Sequence, residues 1–117
     1  MRITMPVKDW LLIDATIDNT VAIAAQNGEA ATAAHGNAIR ESGWEASRSH
    51  AKAGQGPVGW PPEDEELSLD LTAESWHFVV EQLRRWDNVD DLMSPRSEGD
   101  AESRKQVLAR KLEERVS

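Results

Sequence analysis

The sequence predicts an α+β chain, predominantly helical, built as a tandem repeat of a strand–helix–helix unit (βαα–βαα). Pseudo-twofold symmetry would pair its two short strands into an antiparallel sheet. Three observations lead there. Ile3-Thr4-Met5 and Leu67-Ser68-Leu69-Asp70-Leu71 both alternate apolar and polar residues, as a half-buried strand does. Each is followed by apolar residues at helical spacing. The two stretches also match at one offset: setting Trp10 over Trp76 brings Ile3 onto Leu69, Met5 onto Leu71, Leu12 onto Phe78, Ile13 onto Val79 and Ile17 onto Leu83. On this reading residues 1–48 are the first repeat, 49–66 a connector and 67–117 the second repeat of a single domain.

The first strand runs into a helix at Pro6, where a missing N–H costs nothing. That helix spans about Pro6 to Gln26 and is stopped by Asn27-Gly28. Trp10, Ile13, Ile17, Val21 and Ala24 share one of its faces at about 100° per residue. The second helix, about Ala31 to Arg48, offers Ala34, Ala38 and Ile39 for close approach, while Gly36 and Gly43 weaken it.

Ser49 to Glu66, with its Gly, Pro and acidic residues, reads as an irregular connector that Trp60 could pin to the core. In an antiparallel pairing, the favoured one, Ile3 stands opposite Leu69 and Arg2 opposite Asp70, a cross-strand charge pair; a parallel pairing is the alternative, since the connection is long enough for a crossover. Thr72 is a good N-cap for the third helix, and Glu74 adds negative charge to its first turn. This helix runs from about Ala73 to Asp87 and turns Trp76, Val79, Val80, Leu83 and Trp86 inward. A loop from Ser94-Pro95 to Asp100 leads to a last helix, about Gly99 to Val116, with Ala101, Leu108, Leu112 and Val116 facing the core.

Composition narrows the function classes. The chain has 117 residues, no Cys and a net charge of −8. Without Cys there is neither a disulfide nor thiolate chemistry, which suits a reducing compartment. MRITMPVKDW lacks the apolar run of a signal peptide, and no stretch approaches a membrane span, so the expected location is cytoplasmic. The charge is lopsided, net −1 over residues 1–58 and net −7 over 59–117. Such a surface repels phosphate backbones and disfavours direct nucleic-acid binding. The Ala-rich, Arg-over-Lys composition fits a bacterial or phage genome of high GC content.

No local motif names a reaction: GxGxxG, Walker A, GxSxG and zinc-finger spacings do not occur. His35, His50 and His77 fall on different elements and lack ligand-like spacing, so incidental histidines are the commoner explanation. Asp87-Asn88-Val89-Asp90-Asp91 lacks the central Gly and distal Glu of a calcium loop and reads as a solvated helix end. Glu63-Asp64-Glu65-Glu66 reads as a solvated linker that also guards a strand edge.

Asp14 sits at the edge of the apolar stripe and needs a cation, Arg40 or Arg48. With Asp18 one turn on, it could instead form a carboxylate pair, but no third group converges on them. Five Trp against one Phe and no Tyr is an unusual aromatic balance. Trp44 and Trp60 either dock a partner or close the ends of a small core. Leu12 and Phe78, equivalent in the repeat, point away from their stripes, toward a partner surface or a neighbouring helix.

The expectation is a non-enzymatic interaction module that binds a protein partner or itself through Leu12, Phe78, Trp44 and Trp60. No cofactor or metal is expected. An acidic inhibitor or decoy for a basic nucleic-acid-binding surface is one alternative. A small-ligand site or enzyme between the repeats, using Asp14 and Arg40 beside the two Trp, is another.

Overall fold

The computed structural model describes residues 1–93 and 103–116. Their order is β1 (Arg2–Pro6), α1 (Val7–Gln26), α2 (Ala30–Arg48), a short 3-10 turn (Pro57–Gly59), β2 (Glu66–Asp70), α3 (Ala73–Met93) and α4 (Arg104–Val116). The architecture is α+β, with four helices and one two-stranded antiparallel sheet among the described residues.

The sheet has the register that alternation requires. Ile3 pairs with Leu69, Arg2 with Asp70 and Met5 with Leu67. Ile3, Met5, Leu67 and Leu69 are buried on one face, and Thr4 and Ser68 share a 2.6 Å hydrogen bond on the other. A slip of one residue would turn the two apolar side chains of one strand to water. Asp70 faces Arg2 across the ladder, but its direct ion pair is with the Met1 ammonium at 2.8 Å. Hydrogen bonding to that ammonium, its field, and more weakly that of Arg2, hold the Asp70 carboxyl below its ordinary pKa.

Local chemistry sets the helix ends. Pro6 is the N-cap of α1, and the connector carbonyls of Glu65 and Glu63 accept from Val7 N–H at 2.8 Å and Lys8 N–H at 3.1 Å. Two of the helix's orphan donors are thereby satisfied from a distant part of the chain. At the other end Gly28 takes φ 75°, Glu29 N–H donates to Ala24 O at 2.8 Å and Gly28 N–H to Ala25 O at 3.4 Å. This is a Schellman stop, which a glycine permits. Thr72 Oγ1 accepts from Ser75 N–H at 3.0 Å and so caps α3.

One core joins all four helices and the sheet. Trp10, Ile13 and Ile17 of α1, Trp76, Val79 and Leu83 of α3, Ile39 of α2, and Leu108, Ala109 and Leu112 of α4 pack together over the strands. Trp10 and Trp76 are both fully buried.

Three sequence expectations change. Ala34 and Ala38 are exposed; Gly36, Ile39, Gly43 and Ser47 form the buried stripe of α2. The glycines that weaken this helix in isolation are the residues that let it approach α1. Second, α3 continues to Met93, beyond the expected end at Asp87, and Asp87 is buried rather than solvated. Third, Trp86 is half-buried and Val21 only partly covered, so neither is a full core member. The expected loop from Ser94 to Asp100, the start of the last helix at Gly99 and the inward Ala101 lie outside the described residues.

Candidate functional site

Asp14 and Asp18, one turn apart on α1, both face Arg40 of α2. Arg40 Nε donates to Asp14 Oδ1 at 3.1 Å and Nη1 to Asp18 Oδ1 at 2.8 Å. Partial burial works against the guanidinium's charge, but the hydrogen bond to Asp14 and the field of both carboxylates outweigh it and raise its pKa. The arrangement clamps α1 to α2. Among the described residues no group of three His, Cys, Asp or Glu could hold a metal ion.

The tryptophans join the packing. Trp60 is 3% exposed and its ring centroid lies 4.2 Å from that of half-buried Trp44. Trp60 therefore pins the connector onto α2 and presents no free face. His50 secures the same connector. Its Nδ1 accepts from Lys52 N–H at 2.9 Å, which leaves Nε2 to donate to Glu66 O at 3.0 Å.

Leu12 and Phe78 are likewise half-buried and pack against the core. Phe78 lies against the His35 ring, 4.5 Å between centroids, and His35 Nε2 is 3.0 Å from Ser75 Oγ. Both expected outward residues thus contact the core of their own chain while keeping part of their surface exposed. Met1 and Val58 are the exposed large apolar side chains among the described residues.

Polar contacts complete the interior. Thr20 Oγ1 accepts from Trp86 Nε1 at 2.9 Å and reaches Gln82 Oε1 at 3.0 Å, joining α1 to α3. Buried Asp87 accepts from Ser103 Oγ, which in turn caps α4 by accepting from Gln106 N–H at 3.1 Å.

One groove open to a ligand lies between the start of α1 and α4, and a smaller cleft of about 220 Å³ lies between Ala38, Ile39 and Ser42 of α2 and residues 70–75. The groove encloses about 350 Å³ and is lined by Pro6, Lys8, Asp9, Arg104, Val107, Leu108 and Lys111. Another cleft of about 170 Å³ shares Pro6, Asp9, Leu108 and Lys111 with the groove and extends to Arg115. Arg115 Nη1 donates to Thr4 O at 2.9 Å, so the end of α4 covers the free edge of β1. Lys8, Arg104 and Lys111 form no ion pair with any described acid.

Sequence reasoning missed this groove. Its walls lie about a hundred residues apart, and the net −7 of residues 59–117 hides a local reversal. Arg104, Lys105, Arg110, Lys111 and Arg115 of α4 outnumber Glu113 and Glu114. A charge count taken helix by helix would have found the basic strip, though not what faces it.

No family model matches the chain, and no curated protein or solved structure does either. The site therefore stands on its own geometry. No helix among the described residues is long and apolar enough to cross a membrane.

Proposed function

We propose that this chain is a non-enzymatic interaction module that engages a protein partner at the groove between α1 and α4, in the cytoplasm. The observation that carries the reading is the presence of Lys8, Arg104 and Lys111 around one groove, without an ion pair to any acid among the described residues, in a chain of net charge −8. Cations that stabilise a fold are ordinarily paired, as Arg40 is; these are left for something outside the chain. Pro6, Val107 and Leu108 add apolar surface against which a side chain of the partner can pack. The decoy reading has less support, because the basic strip of α4 interrupts the acidic surface it needs.

We further propose that the fold arose by tandem duplication of a βαα unit. Gly43 and Ala109 stand at the same 66-residue offset as Trp10 and Trp76, and both are small and buried. In each unit the second helix borders one strand of the sheet: α2 lies along β2, and α4 bonds β1 through Arg115.

Binding of fluorescent polyglutamate to the wild type and to a Lys8→Glu/Lys111→Glu variant tests the binding reading, with circular dichroism confirming that the variant folds. Wild-type binding should weaken as salt rises past the point where the Debye length falls below about 10 Å, and the variant should bind at least tenfold more weakly. Equal affinity of the two proteins, or no binding by the wild type at low salt, overturns the proposal.

A further inference from the structure

Resting on the binding reading above, we propose that the segment received by this groove is an acidic α-helix lying along α4. The argument is one of spacing. Arg104, Lys111 and Arg115 are separated by seven and four residues, which in a helix puts them within about 60° of one face. Along the axis they lie roughly 10 Å and 6 Å apart, a row about 16 Å long. All three are exposed, and Leu108 between them is buried, so the row borders the covered side of α4.

A single phosphate or carboxylate spans only a fraction of that length and would leave part of the row unmatched. An extended strand advances about 3.3 Å per residue, so the 10 Å step equals three residues and turns the matching side chain to the opposite face. A helix whose acids recur at the same four- and seven-residue intervals keeps every carboxylate on one face and in register with the row. Lys8, across the groove on α1, can then take a further carboxylate, and an apolar residue of the partner helix can meet Val107. Asp9 on the same wall favours an uncharged or basic residue of the partner opposite it.

Three synthetic peptides of about eighteen residues, a length at which helicity is tunable, provide the test, the first two being of one composition. The first carries glutamates at four- and seven-residue spacing on one helical face. The second spreads the same glutamates around the helix. The third keeps the first pattern but carries two central prolines. Fluorescence anisotropy should rank the first peptide about tenfold tighter than the other two, with the gap closing in Arg104→Glu/Lys111→Glu protein.

Equal binding of all three, lost in the charge-reversed protein, overturns the helical partner while sparing the binding reading. Tighter binding of a single-stranded oligonucleotide than of the first peptide overturns the acidic-helix proposal. So does a concentration-dependent dimer in light scattering that the same two substitutions abolish, because the occupant is then a second copy.

Discussion

A methyl group placed on Gly43 would sit 2.2 Å from Cζ2 and 2.3 Å from Cε2 and Nε1 of Trp10. The Nε1–Cζ2 side of the α1 indole thus closes directly onto the bare backbone of α2. Trp10 Nε1 is also the buried side-chain nitrogen that finds no hydrogen-bond partner among the described residues. The contact gives up a hydrogen bond in exchange for close packing of two helices around a fully buried ring.

Gly43→Ala therefore sets two effects against each other. Alanine improves helix propensity by about 1 kcal/mol, whereas forcing a methyl into a filled core costs about 1–3 kcal/mol. The ring is rigid and enclosed, so the clash should win and urea denaturation should show net destabilisation. Gly36→Ala is the control. There the methyl would meet Val21 Cγ2 at 2.5 Å, on a half-buried side chain, and Ile17 Cγ2 at 3.2 Å, on a fully buried one. Its loss of stability should be the smaller of the two, since fewer atoms stand in the way and the nearest is at the partly open edge of the interface. A Gly43→Ala protein as stable as Gly36→Ala would show that the indole is not held against α2.

The two glycines also show where sequence reasoning stops. A glycine in a helical pattern looks the same whether it merely weakens the helix or lets a neighbour approach; the difference lies in what stands opposite, and Trp10 is 33 positions away. The faces of the two strands were legible from strict alternation; their direction was not, since the long connector also allows a parallel crossover, and the antiparallel register with Ile3 opposite Leu69 is the one observed. Asp14 was legible as a residue needing a cation, and Arg40 is its partner. The full length of α3 was not, because Asp87 through Asp91 carries three acids and no apolar period, and the burial of Asp87 depends on Ser103 beyond it. The groove was least legible of all, since each of its cations alone reads as an ordinary solvated side chain.

Val58 adopts φ 53°, ψ 32° in the 3-10 turn of the connector and is 89% exposed. A β-branched residue in the left-handed region costs about 1–2 kcal/mol, and this one recovers nothing by burial. Val58→Asn should raise the thermal midpoint, because asparagine tolerates that conformation and loses little contact. Calorimetry of the two proteins checks it; an unchanged or lower midpoint would mean the backbone relaxes freely.

Thr20 is buried between α1 and α3 with Trp86 and Gln82 on its hydroxyl. Thr20→Val keeps the shape and removes the oxygen, leaving the indole N–H and the amide without that partner. Destabilisation of about 1–3 kcal/mol is expected, with Thr20→Ser losing less because the hydroxyl remains. Equal losses for Val and Ser would assign the effect to the γ-methyl and its packing instead.

Arg40 bridges Asp14 and Asp18, and Asp14 is only 15% exposed. Arg40→Met leaves a largely covered carboxylate facing a methyl group, which should cost roughly 1–3 kcal/mol, the desolvation left uncompensated at a charged group. Asp14→Asn combined with Arg40→Met should recover part of that loss, since the stranded charge is gone. A double variant no more stable than Arg40→Met alone would place the cost in lost packing of the arginine stem.

The chain has neither Tyr nor Cys to titrate alongside its lysines, so comparison with a Lys52 variant reads one ion pair at alkaline pH. Lys52 Nζ lies 2.9 Å from Glu65 Oε1, and this hydrogen bond, with the carboxylate's field, raises the lysine above its ordinary 10.5. A cation whose pKa is higher folded than unfolded contributes stability that is complete below the unfolded value and lost as pH climbs through the folded one. The difference in thermal midpoint between wild type and Lys52→Gln should therefore be steady to about pH 9.5 and then shrink as Lys52 deprotonates in the folded chain. Lys52→Gln should start lower and decline less over that window. Parallel curves for the two proteins would show that Lys52 and Glu65 do not hold the connector to the end of α2, and that the task falls to Trp60 and His50.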